Sequence, residues 1–296
     1  KRRGGHHFAS FLVLICRHSM KLSILIVNWN TKEELRQCLR SLHENPPAIT
    51  HEIIVVDNAS SDGSAAMVVE EFPEVTLRAE NHNHGYAKGN NLAFEVAQGE
   101  FCLTLNPDTE VPSGTIETTL RPFDADPAVG VVSCQFIGLD GETQQSIRAF
   151  PSLRNLWADL FGRGPYRQPD FDYSQSQKCE QPMGTYLLFR RAALPDPQHP
   201  FDEGFPIFFN EVDLLYRMRV AGWTAYYCAE ARILHHGGMS TRQVRRNMIW
   251  ESHLSLIRYL KKHAAPRERL LLPVAAAAIW LGAFVRARGV YARFRP

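Results

Sequence analysis

The sequence lacks the signatures of several common protein classes. Its six cysteines are scattered over 296 residues with no CxxC pair, which excludes a small disulfide framework or a cysteine zinc site and suits a reducing compartment such as the cytoplasm. It has no GxGxxG fingerprint and no GxxxxGK[ST] loop. The usual signatures of dinucleotide-dependent hydride transfer and of P-loop phosphoryl transfer are therefore missing.

Positive charge is concentrated at one end of the chain. The net charge is only +2, but residues 241–296 hold 12 Lys and Arg against 2 Asp and Glu, whereas residues 21–240 hold 17 against 29. A basic tail on an acidic body is expected to meet something anionic. Nucleic acid and an anionic membrane surface are the two candidate partners.

Both ends of the chain differ from its body. Residues 1–20 have a basic start and a short apolar run without a small-x-small cleavage site, so we interpret them as a leader or an artificial extension, with a membrane-touching segment as the alternative. In the tail, 241–296, a basic helix precedes the apolar stretch 270–285. That stretch is shorter than the roughly 20 residues of a membrane span. It fits a membrane-surface anchor, a helix packed on the body, or a dimer contact.

Buried apolar runs alternate with helical patterns in the body, residues 21–240. Continuous runs such as LSILIVN and FCLTL are typical of parallel strands that are buried on both faces. The alternation predicts an α/β fold with a mostly parallel central sheet. Thr31 to Glu34 has the pattern of a capping box, and residues 138–182 are predicted to be irregular. Strands are predicted at 22–28, 52–57, 75–79, 101–105, 129–136, 184–190 and 224–228, and helices at 31–43, 64–72, 86–97, 113–124, 211–221 and 241–262.

Two aspartates follow buried strands, where open α/β sheets bind their ligands. Asp57 ends IIVVD, where its carboxylate could accept hydrogen bonds from a base or ribose. Asp108 ends LTLNPD, where it could hold a divalent cation that bridges a diphosphate. Either residue alone could be a cap or turn residue. The two together favour a ligand site.

Three further motifs carry candidate chemistry. The glycines of Gly85 to Asn91 let the backbone approach a ligand at a helix N-terminus, which favours anions. Glu211 and Asp213 open a helix after two phenylalanines and could include a general base with a raised pKa. They could also only complement the helix dipole, and Arg217 could pair with Asp213 and make it structural. The pair at 235–236 in HHGGMS could bind a metal or a diphosphate, or be structural.

Seven segments occur in the order SILIVNWN, IIVVDNASSDGS, NHGYAKGNN, LTLNPD, MGTYLLFRR, FFNEVDLLYRMRVAGW and HHGGMST. Together they resemble family 2 glycosyltransferases, and most closely the bacterial rhamnosyltransferase-like branch that builds cell-surface polysaccharides. The similarity covers about 22–262. It implies a GT-A fold with a Rossmann-like nucleotide-binding half, an acceptor half and C-terminal helices.

The resemblance also implies roles for individual residues. Asp108 matches the last aspartate of a DxD-type motif and, with His236, is expected to bind Mg²⁺ or Mn²⁺. Glu211 matches the catalytic base. Asp213 is the alternative, because Asn210 stands where the family usually has an acid. The residues expected to bind the donor are Asn28, Asp57, Asn58, Ser60, Asn83, Gly85, Asn91 and Asn106, the last of which replaces the first aspartate of the DxD-type motif.

The implied activity is inverting transfer of a sugar from a nucleotide diphosphate donor to a hydroxyl of a cell-surface glycan or lipid-linked acceptor. Rhamnose is the candidate sugar. A cytoplasmic enzyme at the inner face of the cell membrane is expected, without a nucleic-acid partner. A sugar-nucleotide nucleotidyltransferase is one alternative, although it would normally show a GxGxR loop near the first strand. A non-catalytic glycan- or membrane-binding protein is the other, and the acids at 57, 108 and 211 argue against it.

Overall fold

The computed structural model describes residues 20–160, 170–237 and 245–288. The predicted leader lies, apart from Met20, outside the described residues, as do 238–244 and the end of the tail. The predicted division of the chain at residue 240 falls in that gap and stays a prediction.

Strands and helices alternate through the first half of the chain, as predicted. The strands are β1 (Leu22–Asn28), β2 (His51–Asp57), β3 (Thr76–Ala79), β4 (Phe101–Leu105), β5 (Thr109–Glu110), β6 (Val129–Ile137), β7 (Ile147–Arg148), β8 (Gln177–Cys179), β9 (Gln181–Pro182), β10 (Tyr186–Arg190) and β11 (Thr224–His235). The helices of the body are α1 (Lys32–Glu44), α2 (Ser64–Glu71), α3 (Tyr86–Val96), α4 (Thr115–Ala125), α5 (Leu153–Leu160) and α6 (Asn210–Val220). Two more follow, here named the basic helix (Arg245–His263) and, after a 3₁₀ turn at Glu268–Leu271, the apolar helix (Leu272–Ala287).

The main sheet has the order β3-β2-β1-β4-β10-β6-β11-β5, with β8 paired to β11. Its first four strands are parallel. Strand β10 is antiparallel to both of its neighbours, β4 and β6, whereas β11 is parallel to β6. The α/β class is therefore confirmed, with a parallel first half and a mixed second half.

Helices cover both faces of the sheet, which explains why the central strand β1 is apolar at most positions. In β1, Ile24 and Ile26 join the core cluster that includes residues of α1, α2 and α4. Leu25 and Val27 point the other way and join the cluster that includes residues of α3 and α6. Because successive side chains of a strand face opposite sides, a strand buried on both faces needs apolar residues at every position.

The start of α1 differs from the expected capping box. The Thr31 side chain makes no cap hydrogen bond. Its hydroxyl instead donates to Oδ1 of Asn28 over 2.7 Å, and Asp62 accepts the Lys32 backbone N–H over 2.9 Å. The capping-box prediction was wrong because Asn28, at the end of β1, lies closer in the fold and binds the hydroxyl that would otherwise cap the helix.

The second half holds structure that the sequence did not indicate. Strand β11 runs on to His235, with a register irregularity against β6 between Cys228 and Arg232. The segment predicted to be irregular contains α5 and the small two-stranded sheet of β7 and β9. The extension of β11 pairs with β5 just after Asp108 and so brings the histidines at 235–236 to the site.

The two tail helices differ in how they meet the body. The basic helix buries Tyr259 and Leu260 in the same core cluster as residues of α6. The apolar helix leaves most of its large apolar side chains exposed. These include Val274, Leu281 and Phe284, at 58%, 64% and 43% exposure. Only the basic helix is therefore packed like an ordinary core helix.

Candidate active site

The carboxyl ends of β1 and β2 form a small hydrogen-bonded cluster. Asn28 and Asp57 are register neighbours, and Asn28 Nδ2 donates to Asp57 Oδ1 over 2.8 Å and to Ser60 Oγ over 3.1 Å. Asp57 Oδ2 accepts the Ser60 backbone N–H over 2.9 Å. These hydrogen bonds hold Asp57 in one orientation. Because an ionised carboxylate has about four acceptor positions, Asp57 still has acceptor capacity for a ligand.

The loop that precedes α3 meets this cluster. Asn58 Nδ2 donates to the Gly85 carbonyl over 3.1 Å, while its Oδ1 is buried with no hydrogen-bond partner among the described residues. Gly85 has φ +83°, and a Cβ there would lie 2.8 Å from the Pro206 carbonyl oxygen. Asn83 Oδ1 accepts the Gly85 backbone N–H over 2.8 Å. A buried acceptor without a partner is a position to which an N–H or O–H group of a ligand could donate a hydrogen bond.

Two neighbouring asparagines of α3 do different things. Asn91 exchanges hydrogen bonds of 2.9 and 3.0 Å with the backbone of Phe201, so its amide holds a loop. Asn90 donates to the Tyr86 carbonyl, and its Oδ1 is buried without a partner in the described part of the chain. Asn90 therefore has the free acceptor that we expected of Asn91. The sequence could not distinguish them, because only the rotation of the helix decides which one faces the site.

Asp108 lies beyond β4 and is only 6% exposed. His235 Nε2 is 3.8 Å from its Oδ1. The His235 ring is buried, which lowers its pKa, although the charge of Asp108 acts in the opposite direction. The ring of His236 instead lies 2.9 Å from Glu110 Oε1, and only its backbone N–H contacts Asp108, at the carbonyl. The side chain beside the Asp108 carboxylate is thus His235 rather than the expected His236.

The Asp108 carboxylate and the His235 imidazole fit a divalent cation that takes most of its ligands from substrate phosphates and water. No group of three or more His, Cys, Asp or Glu side chains suited to a metal occurs in the residues that the structure describes. A buried carboxylate with an imidazole beside it supplies one or two ligands. That is the usual protein share for Mg²⁺ or Mn²⁺ ions that also bind substrate phosphates and water. Next to them is a polar cavity of about 480 Å³ lined by 138–144 and the two histidines.

Glu211 lies in the first turn of α6, after Phe209, whose φ of +66° is left-handed. Burial raises the pKa of Glu211, with the charge of Arg148 acting in the opposite direction. A Cβ at Gly184 would lie 3.3 Å from Glu211 Cγ, so the glycine leaves room for the carboxylate. A carboxylate with a raised pKa is suited to accept a proton.

The charges of Asp108 and Glu211 both act on one side chain, Tyr86. Its hydroxyl donates to Asn106 Oδ1 over 2.9 Å. Burial raises its pKa, and the charges of both Glu211 and Asp108 raise it further. The Asn106 backbone N–H also donates to the Thr185 carbonyl over 3.0 Å, one residue after the glycine that faces Glu211. Asn106 and Thr185 therefore link the Tyr86 hydroxyl to the backbone beside Gly184, against which Glu211 packs.

Asp213 has a different environment. It is fully buried and has three basic neighbours, each at 2.7 Å: Arg217 Nε, Lys262 Nζ and His263 Nε2. Burial acts to raise its pKa, but the hydrogen bonds from His263, Lys262 and Arg217 outweigh that effect and lower it to about 2. Such a carboxylate is a poor proton acceptor near neutral pH, and its pairing with Arg217 matches the structural alternative.

A parallel half-sheet with acids at its carboxyl edge, followed by a mixed half that supplies Glu211, is the architecture of GT-A glycosyltransferases. The chain belongs to one family of that class, glycosyl transferase family 2, whose sequence model matches residues 23–196.

The chain is similar in sequence to two named bacterial proteins. The chain is 27% identical over 243 residues to the N-acetylglucosaminyl-diphospho-decaprenol L-rhamnosyltransferase of Mycobacterium tuberculosis, a match that covers 74% of this chain and 77% of the relative. It is 25% identical to the O-antigen biosynthesis protein RfbC of Myxococcus xanthus, over 76% of this chain and 18% of that longer protein.

Solved structures confirm the fold. Residues 1–349 of TarS from Staphylococcus aureus superpose with a TM-score of 0.55 at 18% identity, covering 90% of this chain and 81% of that one. The mannosyltransferase PcManGT from Pyrobaculum calidifontis, solved with GDP-Man and Mn²⁺, gives a TM-score of 0.58 at 19% identity, covering 93% and 76%.

Proposed function

We propose that this chain is an inverting glycosyltransferase. It transfers a sugar from a nucleoside diphosphate donor to a hydroxyl of a cell-surface glycan or lipid-linked acceptor. The observation that carries the proposal is a chain of contacts through Tyr86: its hydroxyl binds Asn106, two residues before Asp108, and Asn106 binds Thr185, next to the glycine that packs against Glu211. The activity named for the mycobacterial relative supports rhamnose as the sugar and a lipid-linked acceptor.

The chain's own residues would bind the donor and move one proton. Asp57 accepts hydrogen bonds from the base or ribose, and the free amide oxygens of Asn58 and Asn90 accept hydrogen bonds from donor N–H or O–H groups. Glu211 removes the proton from the acceptor hydroxyl. The acceptor oxygen bonds to the anomeric carbon while the bond from that carbon to the diphosphate breaks on the opposite face. One displacement inverts the anomeric configuration and requires no second nucleophile.

Asp108, with His235 beside it, would hold Mg²⁺ or Mn²⁺ at the diphosphate. When bound, such an ion acts as a Lewis acid that neutralises the charge on the departing diphosphate. We assign the imidazole to His235 because Glu110 already binds the ring of His236.

A donor panel tests the proposal. We expect a nucleotide sugar with Mn²⁺, first of all thymidine-diphosphate rhamnose and then the UDP sugars, to raise the melting temperature of the protein. A ligand at 100 times its Kd stabilises the folded state by about 2.7 kcal/mol, which corresponds to a shift of several degrees. The free sugar is the matched control and should give no shift.

The chemistry of the product separates the alternatives. NMR of the transferred sugar should show the inverted anomer, and a retained anomer would contradict the proposed displacement. Pyrophosphate release from a nucleoside triphosphate and a sugar phosphate would instead identify a nucleotidyltransferase. Absence of any shift across the donor panel would support the non-catalytic alternative.

We also propose that the tail binds an anionic membrane surface and that the protein acts at the inner face of the cell membrane. The segment Glu268–Ala287 is long and apolar enough to cross a membrane by length and composition only, and just 11% of its apolar window is buried. Its exposed apolar side chains lie between basic residues, Arg267 and Arg269 before them and Arg286 and Arg288 after them. An apolar face flanked by cations matches the chemistry of an anionic lipid surface.

Vesicle flotation tests the membrane proposal. We expect the protein to float with vesicles that contain phosphatidylglycerol and less with pure phosphatidylcholine. The double substitution Leu270→Gln and Leu281→Gln should reduce flotation, because both side chains are exposed, at 84% and 64%. A matched control replaces Leu139 and Val220, exposed at 74% and 72% on the body, and should float like the wild type. Equal flotation of the tail variant and this control would reject the anchor.

A further inference from the structure

The basic helix contacts the turn that carries Glu211. Asp213, two residues further along α6, accepts Lys262 Nζ and His263 Nε2 on the same oxygen, Oδ1, each at 2.7 Å. Its other oxygen accepts Arg217 Nε over 2.7 Å. Because Asp213 is fully buried, this carboxylate and its three partners form a fixed junction between α6 and the basic helix.

The first turn of α6 needs such a junction because its entry is strained. Phe209, directly before the helix, adopts a left-handed φ of +66°, which a bulky side chain rarely adopts. Conformations of this kind persist only where the surrounding structure holds them. The ring of Tyr259, on the basic helix, packs 5.8 Å from the Phe209 ring, and Asn210 Nδ2 donates to the Ile207 carbonyl over 2.6 Å.

The same helix also supports the donor side of the site. Lys262 Nζ lies 2.6 Å from Asp202 Oδ2, and Arg258 donates to the Gly204 carbonyl. The loop that these contacts hold runs on to Pro206, whose carbonyl accepts the Tyr86 backbone N–H at the start of α3. His263 is different, because its ring nitrogen Nε2 binds Asp213 and not the donor-side loop.

We infer that Asp213 is a positioning residue, and that Lys262 and His263 act through it to hold Glu211 in the orientation that accepts the acceptor proton. The basic helix then contributes to the function of the site and also connects the body to the tail. This inference rests on the proposed role of Glu211 as the base. It predicts that a change at His263, which binds Asp213, alters turnover without altering donor binding.

The test removes the partners of Asp213 one at a time. We expect His263→Leu and Lys262→Met to lower kcat about 10- to 100-fold, because small displacements of a reacting group have effects of that size. In His263→Leu, the donor-induced thermal shift and the donor KM should stay within about twofold of the wild type. Lys262→Arg should restore kcat by restoring the ion pair. Lys261→Met is the matched control: it removes the same charge one residue away, where Lys261 is exposed and has no ion pair among the described residues.

The possible outcomes separate this inference from the proposed function. A wild-type kcat in both His263→Leu and Lys262→Met, with only the melting temperature lowered, would show that the junction is merely structural and would overturn the inference. If His263→Leu lowered kcat and donor affinity to the same extent, the inference would also be overturned, because the substitution would then have disturbed the donor pocket. Full transfer by Glu211→Gln, by contrast, would refute the proposed base itself, whatever the two variants of the basic helix do.

Discussion

Glu211→Gln is expected to abolish sugar transfer and to leave donor binding intact. The amide has nearly the shape of the carboxylate, so it fits beside Gly184, where the side chain is closely packed. It cannot accept the proton of the acceptor hydroxyl at neutral pH. Since general-base catalysis typically contributes about 10²- to 10⁴-fold, we expect kcat to fall by at least that range, and initial-rate assays will measure it.

The control for this variant is another acid with no place in the site. Glu74→Gln changes an exposed glutamate whose partner is His43, and it should turn over like the wild type. The donor-induced thermal shift should be the same in both variants. Wild-type turnover by Glu211→Gln would assign the base to another group.

The pH dependence follows from the raised pKa of Glu211. The base must be ionised, so kcat/KM should fall about tenfold per pH unit below that pKa. This acid limb should lie above the value of about 4.3 for an ordinary glutamate. The folded state also binds the proton more tightly than the unfolded state, so ionised Glu211 destabilises the fold at pH values above its folded pKa. Glu211→Gln should therefore melt at the same temperature as the wild type, or at a higher one, at pH 7. Active sites often lower the stability of the fold in this way for the sake of activity.

The parallel half of the fold could be predicted because local rules suffice there. The strands predicted at 22–28 and 101–105 match β1 and β4 to the residue. Each is a continuous apolar run, and the sheet buries each on both faces. The carboxyl end of a buried parallel strand is also where a ligand site is expected, so Asp57 could be placed at that edge from the sequence.

The second half could not be predicted because its contacts are distant in the sequence. Strand β10 enters the sheet between β4 and β6, although it follows β6 by about fifty residues in the chain. The irregular register of β11 places His235, not His236, beside Asp108. The loss of the Thr31 cap has the same origin, because Asn28 binds that hydroxyl.

Side-chain roles within a motif were the least predictable part of the site. In GYAKGNN, the choice between Asn90 and Asn91 depends on helix rotation and on the position of the loop at Phe201. Tyr86 was not singled out, although the charges of Asp108 and Glu211 both raise the pKa of its hydroxyl. The only signal in the sequence was its position. Tyr86 stands at the start of a helix whose N-terminus faces a ligand, where a tyrosine is expected to be buried.

Asp108→Ala is expected to abolish metal-dependent donor binding. Wild-type protein should bind the nucleotide sugar more tightly in Mn²⁺ than in a chelator. The variant should bind it weakly and equally in both, because the carboxylate that would hold the ion is gone. Changes to residues one step further from a metal already weaken its binding about 10- to 100-fold, so we expect a loss of at least that size. Calorimetric titration with and without Mn²⁺ will measure it.

The matched control is Asp140→Ala, an exposed aspartate that lines the neighbouring cavity with the two histidines. It should keep the metal dependence, and if it loses it, the ion lies in that cavity rather than at Asp108. An unchanged titration of Asp108→Ala would remove the metal from the proposal. Because Glu211→Gln should bind without turning over, and Asp108→Ala should fail at binding, the two variants test separate steps of one reaction. If Glu211→Gln instead failed to bind the donor, and Asp108→Ala bound it without turning over, the two roles would be exchanged. Asp108 would then be the proton acceptor, and Glu211 would belong to the diphosphate site.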